Sequence, residues 1–194
     1  MTRSYTREAG PELAGEMSLP SGTTDYPQAP DALRVGRTDA VLMSLVGQDA
    51  IDFNRAFGAA GLSRAMLRLS CAIGENELLG IGGDNAEELY VACGYFATLD
   101  TEANLAFKER YRAHFGERAP TLNTFGQSTY EGMHFLAALL DREQGRQVDH
   151  ERLGSAPLRY RSARNAAYEG DGITRTPIYL ARAEGNAFRV ITQF

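Results

Sequence analysis

Apolar positions along the chain follow two rhythms. Val41-Leu42-Met43-Ser44-Leu45-Val46 is a short, nearly unbroken apolar run that stops at Gly47. Behind it, Ala50, Phe53, Phe57 and Ala60 recur at helical spacing, and Gly61 closes the segment. This reads as strand, tight turn and helix, with Gly61 in the place of a C′ glycine. The motif repeats downstream. Ala65–Ser70 is a second strand, Cys71-Ala72-Ile73-Gly74 its exit loop, and Glu75–Gly80 a short helix start. Gly82–Asn85 is a loop, and Leu89–Phe96 a third strand. Upstream, residues 1–9 resemble a helix end halted by Gly10-Pro11, Glu16–Leu19 is a strand candidate, and Pro20–Asp25 is a turn. A helix is expected from near Pro30 to about Gly36. Residues 16–96 thus alternate strand and helix, the pattern of a parallel sheet with helices on both faces.

The rhythm then changes. Asp100-Thr101 caps a helix from about Glu102 to Phe115, and Gly116 ends it. Thr124–Gln127 fits a capping box and opens a long helix to about Arg142, with Tyr130, Met133, Ala137 and Leu140 on its apolar face. No strand separates the two helices. Phe107, Tyr111, Phe115, Phe125, Phe135 and Leu139 give them broad apolar faces that need a sheet from elsewhere. Asp149–Leu153 is expected to add a helical turn, Leu158–Tyr160 a weak strand, and Asn165–Asp171 a loop. Pro177–Ala183 and Ala187–Ile191 flank Glu184-Gly185-Asn186 and read as a β-hairpin.

Composition narrows the function. With 43% apolar and 23% charged residues among 194, the chain has the make-up of a folded protein of one domain, or a little more. A net charge of −5 without a basic block removes the electrostatic footprint of a nucleic-acid binder. Cys71 and Cys93 are the only cysteines. Buried free thiols are the default reading, and a disulfide between neighbouring strands is the alternative. His114, His134 and His150 fall on separate elements and read as surface or rim residues. No Cys/His cluster suggests a metal, and no cofactor motif is present. There is no G-x-S-x-G, no G-x-G-x-x-G and no P-loop, so an enzyme, including a hydrolase on a Rossmann-like sheet, is not expected. Residues 1–17 have no apolar signal core, and no run reaches the length of a membrane span. As written, the sequence points to the cytoplasm. A missing N-terminal part would point to the periplasm or the cell exterior.

Several segments in this order resemble the type I periplasmic-binding-protein family, in its amide- and urea-binding branch, and the amidase expression regulators in particular. They are Gly15–Pro20 with Thr24-Asp25, Asp39–Gly47, Glu75-Asn76-Glu77-Leu78, Gly94–Thr101, Ser128–Glu131 and the final hairpin. The resemblance spans about residues 1–192 and implies a fold of two α/β lobes closing on a ligand. It implies that 1–95 and 156–194 form most of the second, C-terminal lobe, a three-layer αβα sheet with a C-terminal hairpin. Residues 96–155 would be the helical remainder of the first lobe, which is otherwise missing, as in a truncated chain. That accounts for helices without a sheet.

Carried over by position, the ligand-facing residues are Val46, Gly47, Gln48, Ser70, Cys71, Glu75 and Tyr95. Val46 would give apolar wall, Gly47 close backbone approach and Gln48 an amide. Tyr95 would be hinge packing or cleft wall. Where the amide sensors carry hydroxyls, this chain has Cys71-Ala72-Ile73-Gly74. The resemblance implies a small amide- or urea-like ligand and a sensor's role in amide metabolism, with a regulator protein as partner. The alternative is the substrate-binding component of an ABC transporter for urea, amides or branched-chain amino acids, docking on a permease. A third expectation is an interaction module, including a homo-oligomer, built on the apolar face of residues 101–140.

Overall fold

The apolar runs pair as one mixed sheet. The computed structural model describes residues 10, 12–23, 26, 28–36, 38–144 and 156–194. Strands β1 (Ala40–Met43), β2 (Leu67–Ser70) and β3 (Leu89–Cys93) lie side by side and parallel. Two short strands, β4 (Ala167–Gly170) and β5 (Ile173–Arg175), form a separate antiparallel ribbon. The closing hairpin, β6 (Tyr179–Glu184) and β7 (Ala187–Gln193), joins the main sheet by pairing β6 antiparallel to β3. The sheet order is β1-β2-β3-β6-β7. Its turn is Gly185-Asn186, with Gly185 at φ +60, a left-handed conformation that glycine adopts without strain.

The helices are α1 (Gln28–Val35), α2 (Gly47–Ala59), α3 (Glu75–Ile81), α4 (Glu102–Phe115) and α5 (Thr124–Arg142). The β1–α2–β2 and β2–α3–β3 units step across the sheet in one direction. With right-handed crossovers, that places α2 and α3 on the same face. Met43, Ser70, Val91 and Ala181 share register on this face and are buried. Ala50, Phe53 and Phe57 of α2 and Leu78 and Ile81 of α3 cover them in one continuous core. On the reverse face, Leu42 is exposed and Leu69 and Tyr90 are half-buried.

A buried cation sits in this core. Arg68 of β2 is fully buried and donates to Asn54 Oδ1 (2.5 Å), to the Asn85 carbonyl (2.8 Å) and to the Glu87 carbonyl. Its guanidinium lies 4.5 Å from the Phe57 ring centroid. Burial lowers its pKa to about 10.

Several elements differ from the sequence reading. Residues 16–19 are not a strand: 12–20 lack regular structure, and Met17 and Leu19 are exposed without a partner strand. β1 stops at Met43 because Ser44–Val46 leave the sheet to place Val46 as the N-cap of α2, at φ −128 and ψ 150. β3 stops at Cys93, where the chain turns into the crossover to α4. The cap of α5 is Asn123, not Thr124, since Asn123 Oδ1 accepts the Gly126 N–H at 2.8 Å. Gln127 is buried and donates to Glu131 instead of closing a capping box. Leu158 makes a single bridge to Tyr168, and the expected loop 165–171 contains β4. The helical turn expected at 149–153, like residues 1–9, Thr24 and Asp25, lies outside the described residues.

Other expectations hold. Thr101 Oγ1 accepts the Asn104 N–H at 3.2 Å as the cap of α4, and Gly61 follows the α2 C-cap at φ +73. α4 and α5 meet through Phe107 and Tyr130, ring centroids 4.6 Å apart. Leu139 of α5 packs with Leu158 and Tyr168 in a smaller core. Phe125, Met133, Leu136 and Leu140 share one stripe of α5, and all four are exposed.

Candidate ligand-binding edge

Three parallel strands end on one edge of the sheet, and the loops that leave them lie together there. These are 44–47 after β1, 71–74 after β2 and 94–101 after β3. In open α/β sheets this carboxyl edge is where ligands bind.

The first loop is exposed. Val46 is 60% exposed. Gly47 has φ +54, and nothing lies within 4 Å of where a Cβ would be, so its backbone is open to approach. Val46 makes no side-chain capping bond, which leaves first-turn N–H groups of α2 without a side-chain acceptor. Gln48 is exposed and donates through Nε2 to Asp52 Oδ1 at 2.8 Å. Asp49 receives Gly22 N–H (3.0 Å) and Ser21 Oγ–H (3.2 Å), which ties the segment 20–23 against the start of α2.

The second loop is half buried. Ser70 is buried, and its Oγ accepts the Ala72 N–H at 3.2 Å. Cys71 is exposed as a free thiol. Glu77 caps α3 by accepting the Gly74 N–H at 2.9 Å. Gly74 faces Asn123, whose Cβ lies 3.7 Å from where a Gly74 side chain would begin, so this loop meets the start of α5.

Glu75 and Tyr95 are buried behind the edge. Tyr95 donates to Asn104 Oδ1 at 2.9 Å and packs edge-on to Phe107. Burial, and then the nearby Glu75 carboxyl, push the Tyr95 phenol above its usual range. Of the seven residues named from sequence, Val46, Gly47, Gln48 and Cys71 therefore line the surface of one edge. Ser70, Glu75 and Tyr95 are already engaged by protein groups beneath it.

Sequence reasoning missed the polar cluster beside the edge. Glu131 of α5 accepts from Arg164 Nη2 (2.8 Å) and Nε (3.1 Å), Ser162 Oγ (2.6 Å) and Gln127 Nε2 (2.7 Å). The signal was faint: Glu131 and Gln127 are polar positions four apart on an apolar helix. Arg164 Nη1 also reaches to 2.6 Å from where a Gly94 side chain would begin, so the cluster joins α5, the returning chain and the end of β3. Cys93 Sγ lies 3.4 Å from Thr124 Oγ1. Both cysteines are free, so the disulfide alternative is not realised. His114 is exposed beside Phe115, and His134 is half-buried against Tyr130. Among the described residues, no group of acidic, His and Cys side chains has metal-binding geometry, and no helix is long and apolar enough to cross a membrane.

Comparison with known proteins places the chain in a family. The profile of the family described as Periplasmic binding protein matches residues 2–187. The chain belongs to the periplasmic binding protein family. Among solved structures, it matches an R. palustris ABC-transporter solute-binding protein in complex with 4-hydroxybenzoate with a TM-score of 0.86 at 17% identity. That alignment covers 99% of this chain and 55% of the other. A Streptococcus pneumoniae branched-chain amino acid transporter substrate-binding protein in complex with isoleucine matches at 0.79 and 16% identity, covering 99% and 54%. An amino acid ABC transporter substrate-binding protein from Pseudomonas fluorescens Pf-5 matches at 0.78 and 16%, covering 99% and 54%. At these identities the likeness shows the fold. The chain spans about half the length of the solved relatives. No curated protein matches. The comparisons reach the family and stop short of the amide- and urea-binding branch.

Proposed function

We propose that this chain supplies one wall of a solute-binding cleft and serves as part of the substrate-binding component of an ABC-type transporter. The observation that carries the reading is the juxtaposition at one sheet edge of the open Gly47 backbone, the start of α2 without a side-chain cap, and the Ser70–Gly74 loop. Val46, Gly47, Gln48 and Cys71 would meet the solute, with Ser70, Glu75 and Tyr95 supporting them. A helix start favours a carbonyl or carboxylate group. The named ligands of the solved relatives, isoleucine, 4-hydroxybenzoate and benzoate, all carry a carboxylate. In this reading residues 1–95 and 156–194 make one lobe, 96–155 belong with another, and a permease is the partner.

A second reading, an amide or urea sensor working through a regulator protein, is favoured by the acidic character of the edge. Asp49 and Asp52, on the first two turns of α2, would attract N–H groups of a ligand. Against it, Cys71–Gly74 offers no hydroxyl, and an amide needs both its carbonyl and its NH₂ satisfied, at about 1–3 kcal/mol for each unpaired group.

The test is thermal unfolding of the 194-residue chain with isoleucine, benzoate, 4-hydroxybenzoate, acetamide and urea. A binder raises the melting temperature with ligand concentration. A rise with the carboxylates supports the transport reading, and a rise with acetamide or urea alone supports the sensor. No rise at about 100 times a millimolar Kd, where roughly 2.7 kcal/mol is expected, contradicts both.

A further inference from the structure

One residue in the crossover, Ala97, is gripped from two sides. Glu75, the first residue of α3, accepts the Ala97 N–H through Oε1 at 2.6 Å. From α4, Lys108 Nζ and Asn104 Nδ2 donate to the Ala97 carbonyl at 2.9 and 3.3 Å. Asn104 also donates to the Leu99 carbonyl at 2.7 Å and accepts from Tyr95. The start of α3 and the helix α4 thus hold the same residue.

Glu75 is an expensive group to place here. It is 6% exposed, and its Oε2 is buried with no hydrogen-bond partner. An unsatisfied buried carboxylate oxygen costs free energy that an apolar residue would avoid. Glu77 on its own helix, Tyr95 in the crossover and Lys108 on α4 face it. Glu75 follows Gly74 directly in the chain, so its bond to Ala97 joins the end of the Ser70–Gly74 loop to the crossover.

We propose that Glu75 is a positioning residue that couples the Ser70–Gly74 loop to the crossover 94–101 through the backbone N–H and carbonyl of Ala97. A displacement of the loop turns the first turn of α3, and the Glu75 bond carries it to Ala97. Lys108 and Asn104 pass it on to α4. The biological use of this link rests on the proposed function, because a closing solute would be what displaces the loop. The link itself is mechanical and is tested without any solute.

Alkylation of exposed Cys71 with N-ethylmaleimide perturbs the loop directly. The experiment is hydrogen exchange of the 194-residue chain in a Cys93→Ser background, with and without the reagent. The proposal expects exchange of the 95–99 amides to change by about threefold or more on alkylation. Glu75→Gln, which keeps an acceptor for Ala97, should preserve that response. Glu75→Ala should abolish it while the 70–74 amides still respond. Protection of the 179–193 hairpin reports whether each variant is folded. Should Glu75→Ala unfold, Glu75→Asp, one methylene too short to reach Ala97, is the deciding variant and should also lose the response. An unchanged 95–99 segment in the parent overturns the proposal, as does an undiminished response in a folded Ala or Asp variant. Failure of every solute to bind leaves these outcomes untouched.

Discussion

Gly94 and Glu75 show what single positions do beside the sheet edge. A Cβ at position 94 would lie 2.6 Å from Arg164 Nη1, and that guanidinium is held by Glu131. Gly94→Ala must displace an ion pair that is largely buried, and should destabilise the chain by about 1–3 kcal/mol in denaturant unfolding. Gly132 is the matched control: it lies in α5 with nothing within 4 Å of a Cβ. Gly132→Ala should stabilise by roughly 0.5–1 kcal/mol. For Glu75, burial raises the carboxyl pKa above its ordinary value of 4.5, against the opposing pull of the Ala97 N–H. A raised folded-state pKa means that the protonated form is favoured by folding. Its stabilising share is complete below the unfolded value and is lost as pH rises through the folded one. The stability of Glu75→Gln relative to the parent should therefore increase between about pH 4 and pH 7, read by melting temperature. An unchanged difference over that interval would contradict the shift. The sequence pointed to Glu75 as a ligand-edge residue by resemblance. It could not show that the side chain turns inward, because its acceptor bond is to Ala97, 22 residues away.

At the scale of elements, periodicity located the helices well and the strand ends poorly. α2 was legible because Phe53 and Phe57 keep one stripe and Gly61 stops it. The strand ends were not, because where pairing stops depends on the neighbouring strand and on the helix cap beyond it. Ser44-Leu45-Val46 looks like strand in sequence, yet its last residue is needed as the α2 N-cap. The α5 cap was misplaced by one residue, since Asn123 and Thr124 are both good caps and only geometry chooses. Asn123→Ala should cost about 1 kcal/mol, whereas Thr124→Ala should cost a few tenths, a contrast that chemical denaturation reads directly. α5 also separates buried from exposed leucines. Leu139→Ala should cost about 2–3 kcal/mol, while Leu136→Ala on the exposed stripe should stay within about 0.5 kcal/mol. Equal costs would mean that the stripe is covered.

For the whole molecule, the two apolar helices without a strand between them were the most informative feature of the sequence. Their pattern implied a partner sheet outside the helical block. In the structure the stripe of Phe125, Met133, Leu136 and Leu140 is open, and the solved relatives are about twice as long as the aligned chain. The α/β order and the family were legible because both follow from motif order along the chain. The antiparallel attachment of the hairpin to β3 was not, because pairing between residues about 90 apart leaves no local signal. Nor was the Glu131–Arg164 cluster, whose members are 33 residues apart. The central claim is that the β1–β2–β3 edge receives a small solute. Backbone amide chemical shifts of the 194-residue chain, titrated with isoleucine, benzoate and acetamide in turn, test it most directly. The account predicts that at least one of these solutes moves the resonances of Val46–Gln48 and Ser70–Gly74 in a saturable way, leaving the β4–β5 ribbon unmoved. Saturable shifts confined to other surfaces, or none with any of the three solutes, would contradict it.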